Sequence, residues 1–548
     1  MKSRGQARAN IAGRQFDVCV IGGGASGSGC ALDAQLRGLK TVLVDAGDFA
    51  GATSSTSTKI VHGGVRYLEQ AVKEFDVAQY RVVKRALRER VRMLKNAPHL
   101  ARPMEFLLPC FRWTSAAYYD FGLKMYDWVS GGASIFPSHF LSKEKTLQKI
   151  PVLTRERLVG SVAYADGQFD DARYNIALVE TFAEAGGEAL NYARVTGFEK
   201  DRGGRLLTAE IEDQATGDSF VIDARAFVNA TGPFADTVRA LATPGVAPRM
   251  RLSKGIHILL PLDAMPSADA LLIPKTEDGR VLFAIPWMGR LLVGTTETEM
   301  SIGDELYVTK QEVEYVLHHL NRYLERPVRA DQVVSGIAGA RPLVSSGDAR
   351  ETKKLARDDV IEVDARSGLV SIMGGKWTTY RAMAEDTINA VQKQLGAPVA
   401  ECLTRDHLLA GAEGFKPDEW KTLVREFRIS EATAQHLAEK FGTRARRVLD
   451  LAGETPELAE PLLDELPVLR AEIVYCARNE MAITIEDVLS RRLGVQLFSW
   501  RGAIQAAPVV ASLLGKELGW SAETERSSTQ AYVKKITRFM QLAGLVAQ

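Results

Sequence analysis

The chain has 548 residues and a mass of 60.0 kDa, which is too long for one ordinary core, so two or three domains or subdomains are expected. Hydrophobic residues make up 46% of the chain and charged residues 25%, as in soluble globular proteins. A formal net charge of +1 excludes an overall attraction to nucleic acid or to an anionic membrane. We therefore expect no nucleic-acid partner and only local recognition of charged ligands.

The cysteines and the first residues bear on compartment and membrane topology. Five scattered cysteines form no Cys-x-x-Cys pair, which indicates a reducing compartment and neither a disulfide framework nor a metal site. Residues 1–15 lack the apolar segment of a secretory signal; their acid-free, Arg-containing composition faintly resembles a transit peptide, but we expect a disordered tail. No apolar run of about 18 residues occurs, which excludes a spanning helix but not a surface-bound one.

A strand, a glycine turn, a helix and a second strand are predicted from Phe16 to Asp48. Two Val-rich segments bounded by glycine are typical of buried parallel strands. Gly22, Gly24 and Gly27 form a G-x-G-x-x-G pattern, which permits a tight turn, backbone contact with a pyrophosphate, and close packing of helix on strand. Asp45 ends the second strand, where a carboxylate binds a ribose hydroxyl and would repel the 2′-phosphate of NADP. The unit predicts a dinucleotide site.

This pattern alone does not separate NAD from FAD. An N-terminal unit followed by a long insertion and by returning nucleotide-site segments favours FAD. Two segments fit such returns: "VNATGP" at 228–233, a strand running into a loop, and "GGKWTTYRAMAED" at 374–386, a glycine turn opening a helix with Thr378 and Thr379 as caps. The N-terminus of that helix would stabilise negative charge on a reduced flavin.

Two further regions show helical patterns. Residues 81–96, "RVVKRALRERVRMLKN", predict a helix with one apolar stripe and many basic residues elsewhere. This helix is either the charged, solvated cover of a core or, with the following "MEFLLPCFRW", a surface element at an anionic bilayer. From about residue 400 onward the chain is helix-patterned with few turn residues, which predicts a helical C-terminal domain.

Several segments, in a fixed order, resemble one family, the FAD-dependent glycerol-3-phosphate dehydrogenases within the wider D-amino-acid-oxidase-like flavoproteins. They are "VIGGGASGSG", "ATSSTSTKIVHGGVRYLE", "DDARYNIALVETFAEAGGE", "FVNATGPFAD", "SKGIHILLP", "FAIPWMGRLLVGTTE", "GARPLV" and "GGKWTTYRAMAE". The wider group shares the first motif but lacks the "HGGxRYLE" and "GGKxTTYR" pair. The resemblance implies an α/β fold, with a Rossmann-like FAD-binding domain at 16–400, an interleaved antiparallel-sheet substrate subdomain, and a helical C-terminal domain at 401–548. The disordered tail expected from composition spans 1–15.

The same resemblance implies two sets of site residues. Those expected to contact FAD are Gly22, Gly24, Ser26, Gly27, Asp45, Ser54, Ser55, Lys59, His62, Gly63, Gly64, Ala230, Thr231, Gly232, Gly375, Thr378 and Thr379. Those expected to bind or activate glycerol 3-phosphate are Arg66, Tyr67, His257, Arg341, Arg357 and Lys376.

The chemistry of the second set is coherent. A phosphate dianion is best held by two or more guanidinium groups, and Arg66, Arg341 and Arg357 would supply three. Oxidation of a secondary alcohol needs a base for the hydroxyl proton while hydride moves to flavin N5, and His257 fits that role best. Lys376 would assist it or stabilise the developing alkoxide. The division of labour between His62 and His257 stays open.

We therefore expect oxidation of sn-glycerol 3-phosphate to dihydroxyacetone phosphate, with electrons passed to a membrane quinone by a peripheral protein on the cytoplasmic face of the inner (plasma) membrane. The alternatives are a soluble oxidase that reduces oxygen to peroxide, an FAD oxidoreductase acting on an amine or amino acid, and a non-catalytic flavin-binding protein at the membrane. The sequence leaves the oligomeric state open; a homodimer is one assembly that it allows.

Overall fold

A computed structural model describes residues 1–64, 77–133, 135–345, 359–396 and 398–546. The strands are β1 Gln15–Ile21, β2 Thr41–Val44, β3 Ile60–Val61, β4 Ala101–Cys110, β5 His139–Ser142, β6 Gly160–Phe169, β7 Glu188–Leu190, β8 Ala193–Lys200, β9 Leu206–Asp213, β10 Ser219–Asn229, β11 Met250–Pro261, β12 Ala270–Ile273, β13 Leu282–Trp287, β14 Arg290–Gly294, β15 Thr298–Met300, β16 Ser335–Val344, β17 Val360–Val363 and β18 Val370–Met373. The longer helices are Arg4–Ile11, Ala25–Leu36, Val77–Asn96, Trp113–Ser130, Lys143–Lys149, Asp171–Glu184, Ala235–Ala242, Lys310–Asn321, Tyr380–Gln394, Glu419–Phe427, Glu431–Phe441, Ala445–Ala452, Ala471–Glu480, Trp500–Leu518 and Ala522–Leu542.

The first sheet has the order β17-β18-β10-β1-β2-β7, with β9 and β8 added beyond β10. Its central strands β18, β10, β1, β2 and β7 run parallel, and the Ala25–Leu36 helix connects β1 to β2. The strands are buried on both faces and rich in Val, Ile and Leu, as expected for a parallel sheet covered by helices. The predicted dinucleotide unit is therefore confirmed as a fold element.

The second sheet has the order β15-β11-β14-β13-β12-β4-β6-β3, with β16 beside β11 and β5 beside β6. All its pairings are antiparallel except that of β12 with β4. The chain alternates between the sheets: β1 and β2 lie in the first, β3–β6 in the second, β7–β10 in the first, β11–β16 in the second, and β17 and β18 return to the first. This confirms the interleaved α/β fold with an antiparallel substrate-side sheet.

The helices after residue 418 form the helical C-terminal region, whose apolar core is continuous with one face of the second sheet. Buried charges join this region to the first sheet. The loop after β2 supplies Asp48, which accepts hydrogen bonds from Arg491 Nε at 2.6 Å and Arg492 Nη2 at 2.8 Å. On the Asp171–Glu184 helix, Arg173 donates to both carboxylate oxygens of Glu480, at 2.7 and 2.8 Å.

The first residues differ from the expected disordered tail. The chain forms the helix Arg4–Ile11, in which Ala7 and Ile11 are buried in the core of the first sheet. Arg4 binds the buried carboxylate of Asp213 at 2.6 Å. The expectation was wrong because the partners that stabilise this short helix lie about 200 residues away in the chain.

The helix Val77–Asn96, which contains the predicted basic segment 81–96, is called the basic helix below. Its apolar side packs Val83 and Leu87 against Tyr126 and Val129 of the next helix. All five cysteines are buried and free. Within the described ranges, no helix combines the length and apolar character needed to cross a bilayer.

Candidate active site

The glycine turn between β1 and the Ala25–Leu36 helix is shaped by close backbone packing. Gly22 has φ of +105°, and a Cβ there would lie 2.7 Å from the carbonyl oxygen of Ala230. A Cβ on Gly27 would overlap the carbonyl oxygen of Gly22, and one on Gly24 would lie 2.8 Å from Ser54 Oγ. Any larger residue at these positions would collide with these neighbouring atoms, so only glycine allows the turn to pack this closely.

The loop after β10 lies against this turn, because β10 pairs with β1. Ala230 donates its N–H to the carbonyl of Ile21 at 2.8 Å, and the side chain of Asn229 accepts the backbone N–H of Thr231 at 3.3 Å. Gly232 follows with φ of +55° and opens a short 3₁₀ turn. The structure therefore brings the two predicted nucleotide segments together.

Asp45 lies at the end of β2, beside the glycine turn. Its carboxylate accepts the backbone N–H groups of Gly23 at 2.6 Å and Gly47 at 2.8 Å. Burial raises the pKa of this carboxyl to about 6, although both hydrogen bonds act to lower it. The position is the one expected for ribose recognition, but its observed partners are backbone groups of the turn.

The segment 54–64 crosses from the first sheet to the second. Ser54 Oγ accepts the N–H of Ala25 at 2.9 Å, so it meets the first residue of the helix after the glycine turn. The indole N–H of Trp377 donates to the carbonyl of Ser54 at 2.9 Å. At its far end, β3 pairs with β6 of the second sheet. The segment is thus positioned between the nucleotide side and the substrate side.

Lys59 is buried within this segment and has φ of +61°. Its ammonium group donates to the carbonyl of Ser55 at 2.8 Å and to the carboxylate of Asp171, and it lies 5.5 Å from the ring centre of Trp287. Asp171 also accepts the N–H of Ser57, at 2.9 Å. The lysine therefore fastens the segment to the Asp171–Glu184 helix.

The following residues connect the segment to the turn at 374–379. His62 donates its backbone N–H to Thr378 Oγ1 at 3.3 Å. Gly63 donates its N–H to the hydroxyl of Tyr126 at 2.8 Å, and a Cβ at this position would lie 2.6 Å from that oxygen. Gly64, with φ of +84°, ends the described part of this segment.

The two threonines do not cap the helix Tyr380–Gln394 with their side chains, contrary to the prediction. Thr378 and Thr379 belong to a 3₁₀ turn that precedes it, and the hydroxyl of Thr379 turns back to the carbonyl of Lys376 at 3.2 Å. Gly375 has φ of +85°, and Lys376 is half-buried in extended backbone between this glycine and the turn.

His257 and Arg341 lie on neighbouring strands of the second sheet, β11 and β16. A Cβ on Gly294 would lie 2.6 Å from His257 Cγ, and one on Gly255 would lie 2.7 Å from Arg341 Cζ. Each side chain therefore lies flat over a glycine. Arg341 donates to Thr295 Oγ1 at 2.8 Å and to the carbonyl of Thr296 at 3.1 Å.

The imidazole of His257 is only 3% exposed. Its Nε2 lies 3.0 Å from Thr58 Oγ1, whereas its buried Nδ1 has no hydrogen-bond partner among the residues that the structure describes. Burial first, and then the positive charges of Arg341 and Lys59, lower its pKa to about 3. The ring is therefore neutral at physiological pH.

Three predicted substrate residues, Arg66, Tyr67 and Arg357, lie outside the described residues. Ser26 is half-buried in the first turn of the helix Ala25–Leu36. The other predicted residues lie in the glycine turn, at the end of β2, in the loop after β10, in the segment 54–64, in the turn at 374–379, or on β11 and β16 of the second sheet.

Sequence reasoning missed three side chains that the structure adds to this region. Thr58 contacts His257, Asp171 binds Lys59, and Thr295 binds Arg341. Each lies in a quoted motif, but each meets its partner more than 40 residues away in the chain. The only signal in the sequence was that each of these hydroxyl or carboxyl side chains lies within one of the quoted motifs.

FAD fits these residues. The glycine turn leads without side chains from β1 into the N-terminus of the helix Ala25–Leu36, where backbone N–H groups suit a pyrophosphate. Asp45 stands at the ribose position, and a buried ring nitrogen of His257 has no partner in the described part of the chain. The segment 54–64 lies between these features and the two strands that carry His257 and Arg341.

Comparisons with known proteins agree with this geometry. Residues 17–381 match the FAD dependent oxidoreductase family, and residues 402–525 match a model described as the C-terminal domain of alpha-glycerophosphate oxidase. The chain is 41% identical over 526 residues to a probable mitochondrial glycerol-3-phosphate dehydrogenase of Caenorhabditis elegans. The aligned region covers 94% of this chain and 73% of the relative. It is 39% identical to the mitochondrial glycerol-3-phosphate dehydrogenase of Homo sapiens, over 92% of this chain and 71% of the relative.

Among solved structures, the glycerol-3-phosphate dehydrogenase from Bacillus halodurans complexed with FAD superposes with a TM-score of 0.80 at 30% identity, covering 100% of this chain and 99% of that one. The L-alpha-glycerophosphate oxidase of Mycoplasma pneumoniae shares the fold at 16% identity, with a TM-score of 0.53 and coverage of 69% and 95%. The chain therefore belongs to the family of FAD-dependent glycerol-3-phosphate dehydrogenases.

Proposed function

We propose that this protein oxidises sn-glycerol 3-phosphate to dihydroxyacetone phosphate with FAD as its cofactor. The observation that carries the proposal is the placement of a neutral, buried imidazole and a guanidinium group on two paired strands, His257 on β11 and Arg341 on β16. A neutral base and a phosphate-binding cation are the two groups that oxidation of a phosphorylated secondary alcohol requires.

In this proposal, His257 accepts the proton of the substrate C2 hydroxyl on one of its ring nitrogens, and Nδ1 is the one without a partner among the described residues. Thr58 holds the other nitrogen and so fixes the orientation of the ring. Bound FAD supplies the acceptor for the hydride that leaves C2. Lys376, beside the 377–379 turn, stabilises negative charge on the substrate oxygen as its proton leaves.

Arg341 binds the phosphate, together with Arg66 and Arg357 as the sequence motifs predict. A dianion beside Arg341 would offset one of the positive charges that depress the pKa of His257. Substrate binding would therefore make the imidazole a stronger base at the moment when a base is needed. Tyr67 is assigned to the same substrate side.

We further propose that the electrons pass to a quinone at the cytoplasmic face of the inner membrane, where the protein is bound peripherally. The helix Trp113–Ser130, called the aromatic helix below, supports a bilayer contact better than the basic helix does. Trp113, Phe121 and Trp128 share one face of it and are 69%, 68% and 78% exposed, with Lys124 between them. Aromatic rings with adjacent cations are suited to the membrane interface.

The decisive test of the reaction is anaerobic. Purified FAD-loaded protein should lose its visible flavin absorption on addition of sn-glycerol 3-phosphate, and glycerol should not substitute for it because the phosphate contacts would be lost. If the flavin stays oxidised with the phosphorylated substrate, the proposed reaction is wrong. Bleaching by an amine or amino acid would assign the site to a different substrate class.

The electron acceptor needs a separate test, because the domain family that matches residues 402–525 is named after an oxidase, alpha-glycerophosphate oxidase. After anaerobic reduction, the protein is mixed with oxygen or with a soluble quinone analogue. Fast reoxidation by the quinone and slow reoxidation by oxygen are expected. Rapid oxygen consumption with stoichiometric peroxide would instead identify a glycerol-3-phosphate oxidase.

The bilayer contact is tested by flotation with anionic vesicles. Replacing Trp128 and Phe121 with Gln should reduce the bound fraction while leaving flavin reduction intact. Exposed Leu207 on β9 provides the control, because Leu207→Gln also removes an exposed apolar side chain. Equal binding of all three proteins would refute the assignment of this face to the bilayer.

A further inference from the structure

A cavity of about 510 Å³ lies between the basic helix and the helix Tyr380–Gln394. It shares no lining residue with the candidate active site. Its lining is almost entirely charged and consists of Arg81, Lys84, Arg85, Arg88, Glu89, Arg92, Arg381, Ala382, Glu385, Asp386 and Arg405. Seven of these side chains are cationic and three are anionic, so the cavity is strongly positive although the whole chain carries a net charge of only +1.

The three carboxylates of the lining are already engaged. Glu89 accepts Arg381 at 2.6 Å and also pairs with Arg92. Glu385 accepts Arg381 at 2.9 Å and Arg405 at 2.5 Å. The third, Asp386, binds Arg85 at 2.6 Å.

The remaining cations, Arg81, Lys84 and Arg88, have no carboxylate partner in the part of the chain that the structure describes. Their spacing of three and four residues places them on one face of the basic helix. Like charges so arranged repel one another, so an anion that bridges them would be stabilised by all three. Packing of the basic helix does not explain these three cations, because they are exposed whereas the core contacts of the helix use the buried Val83 and Leu87.

We propose that this cavity is a binding site for a phosphorylated anion, distinct from the substrate site. Guanidinium groups bind phosphate oxygens bidentately, and two arginines with one lysine suit a ligand that carries two or more negative charges. The volume is in the range of small-ligand pockets. The phosphate belongs either to a small soluble compound or to a phospholipid headgroup, and the experiment separates these two sources.

The test compares three forms of the FAD-loaded protein. The first is the unaltered chain, and the second carries Arg81→Gln, Lys84→Gln and Arg88→Gln. The third is a control of equal charge change, with Arg501→Gln, Arg526→Gln and Lys534→Gln, three helical cations without an ion pair among the described residues. Calorimetric titration with inorganic pyrophosphate at low ionic strength probes the soluble source. Co-sedimentation with phosphatidylcholine vesicles, with and without phosphatidylglycerol, probes the headgroup source.

If the proposal is correct, the unaltered and control proteins bind pyrophosphate, or bind only vesicles that contain phosphatidylglycerol, and the cavity variant loses about tenfold or more in affinity for the same probe. That binding weakens as salt is added. Pyrophosphate binding that persists in the cavity variant belongs to the substrate site. The proposal is overturned if the cavity variant binds both probes as well as the control does, or if the unaltered protein binds neither. These readouts do not depend on turnover, so they hold even if the proposed reaction fails.

Discussion

Two buried polar regions of this chain use their charges in opposite ways. Between the first sheet and the C-terminal helices, Asp48 and Asp487 face Arg491 and Arg492, so two negative groups offset two positive ones. Around the second sheet, His257 keeps a buried ring nitrogen without a partner among the described residues. Charges that hold domains together are neutralised within the fold, whereas the candidate site keeps polar capacity for a ligand.

The largest effect is expected from breaking the neutralised region. Asp48→Asn keeps the size of the side chain but removes the counter-charge that Arg491 and Arg492 share. Because Arg491 still pairs with Asp487, the free energy of unfolding should fall by about 3 kcal/mol, the lower end for breaking a buried ion pair. Thermal and denaturant unfolding of the FAD-loaded protein measure this loss. The exposed pair of Lys95 and Asp406 provides the control, because Asp406→Asn should leave the unfolding midpoint unchanged.

The same residue predicts a pH dependence. Burial alone would raise the pKa of Asp48, but Arg492 and Arg491 outweigh it and lower that pKa below its ordinary value of 3.8. A lowered folded-state pKa contributes stability that is present above the unfolded pKa and lost as the pH falls through the folded one. Acidification below about pH 4 should therefore destabilise the unaltered protein more than Asp48→Asn. Parallel curves would show that the ion pairs contribute little.

The second effect tests the region that is left open for a ligand. His257→Asn should lower kcat by about 10²-fold or more, because the proton acceptor is lost, while bound FAD per chain stays unchanged. Steady-state rates and the flavin spectrum measure the two quantities. His99→Asn is the matched control. Burial, and then Arg173 and Arg444, also lower the pKa of His99 to about 3, but its ring packs against Phe415 and not at the candidate site. A wild-type rate in His257→Asn would remove this residue from the role of base.

The contrast between these regions also explains what the sequence could predict. The glycine turn was predictable because each of its glycines answers a local steric demand, as the overlap at Gly27 shows. The parallel strands were predictable from their short Val-rich runs. The contact of Thr58 with His257 was not, because it joins residues 199 apart and any hydroxyl in the run 54–58 satisfies the pattern equally well.

Two other outcomes depended on distant partners. The helix Arg4–Ile11 is too short to be stable alone, so its existence rests on Asp213 and on burial of Ala7 and Ile11. The basic helix was predicted correctly as a helix, but its sequence could not show which of its cations find carboxylates, since the partners of Arg85 and Lys95 are about 300 residues away. Charge pairing across domains is a property of the tertiary fold.

The third effect concerns substrate affinity. Arg341→Lys replaces a planar fork with a point charge, so the KM for glycerol 3-phosphate should rise by about tenfold while FAD content stays constant. Initial rates over a range of substrate concentrations measure KM, and the flavin-to-protein absorbance ratio measures FAD content. Arg290, which stacks on Phe498 in the same sheet, provides an Arg→Lys control that should leave KM unchanged. Loss of FAD at constant KM would assign Arg341 to the cofactor instead.

The smallest effect tests whether Thr58 orients the imidazole of His257, as distinct from the proton transfer that His257 itself carries out. Thr58→Val removes the hydroxyl 3.0 Å from His257 Nε2 without changing the size of the side chain, so one hydrogen bond, about 1 kcal/mol, no longer fixes the ring. We expect kcat to fall by about fivefold at unchanged KM, and Thr58→Ser to restore it. Thr56→Val is the control, because that hydroxyl donates to the carbonyl of Thr53 instead. If Thr58→Ser is as slow as Thr58→Val, the methyl packing matters and the hydroxyl does not orient the imidazole.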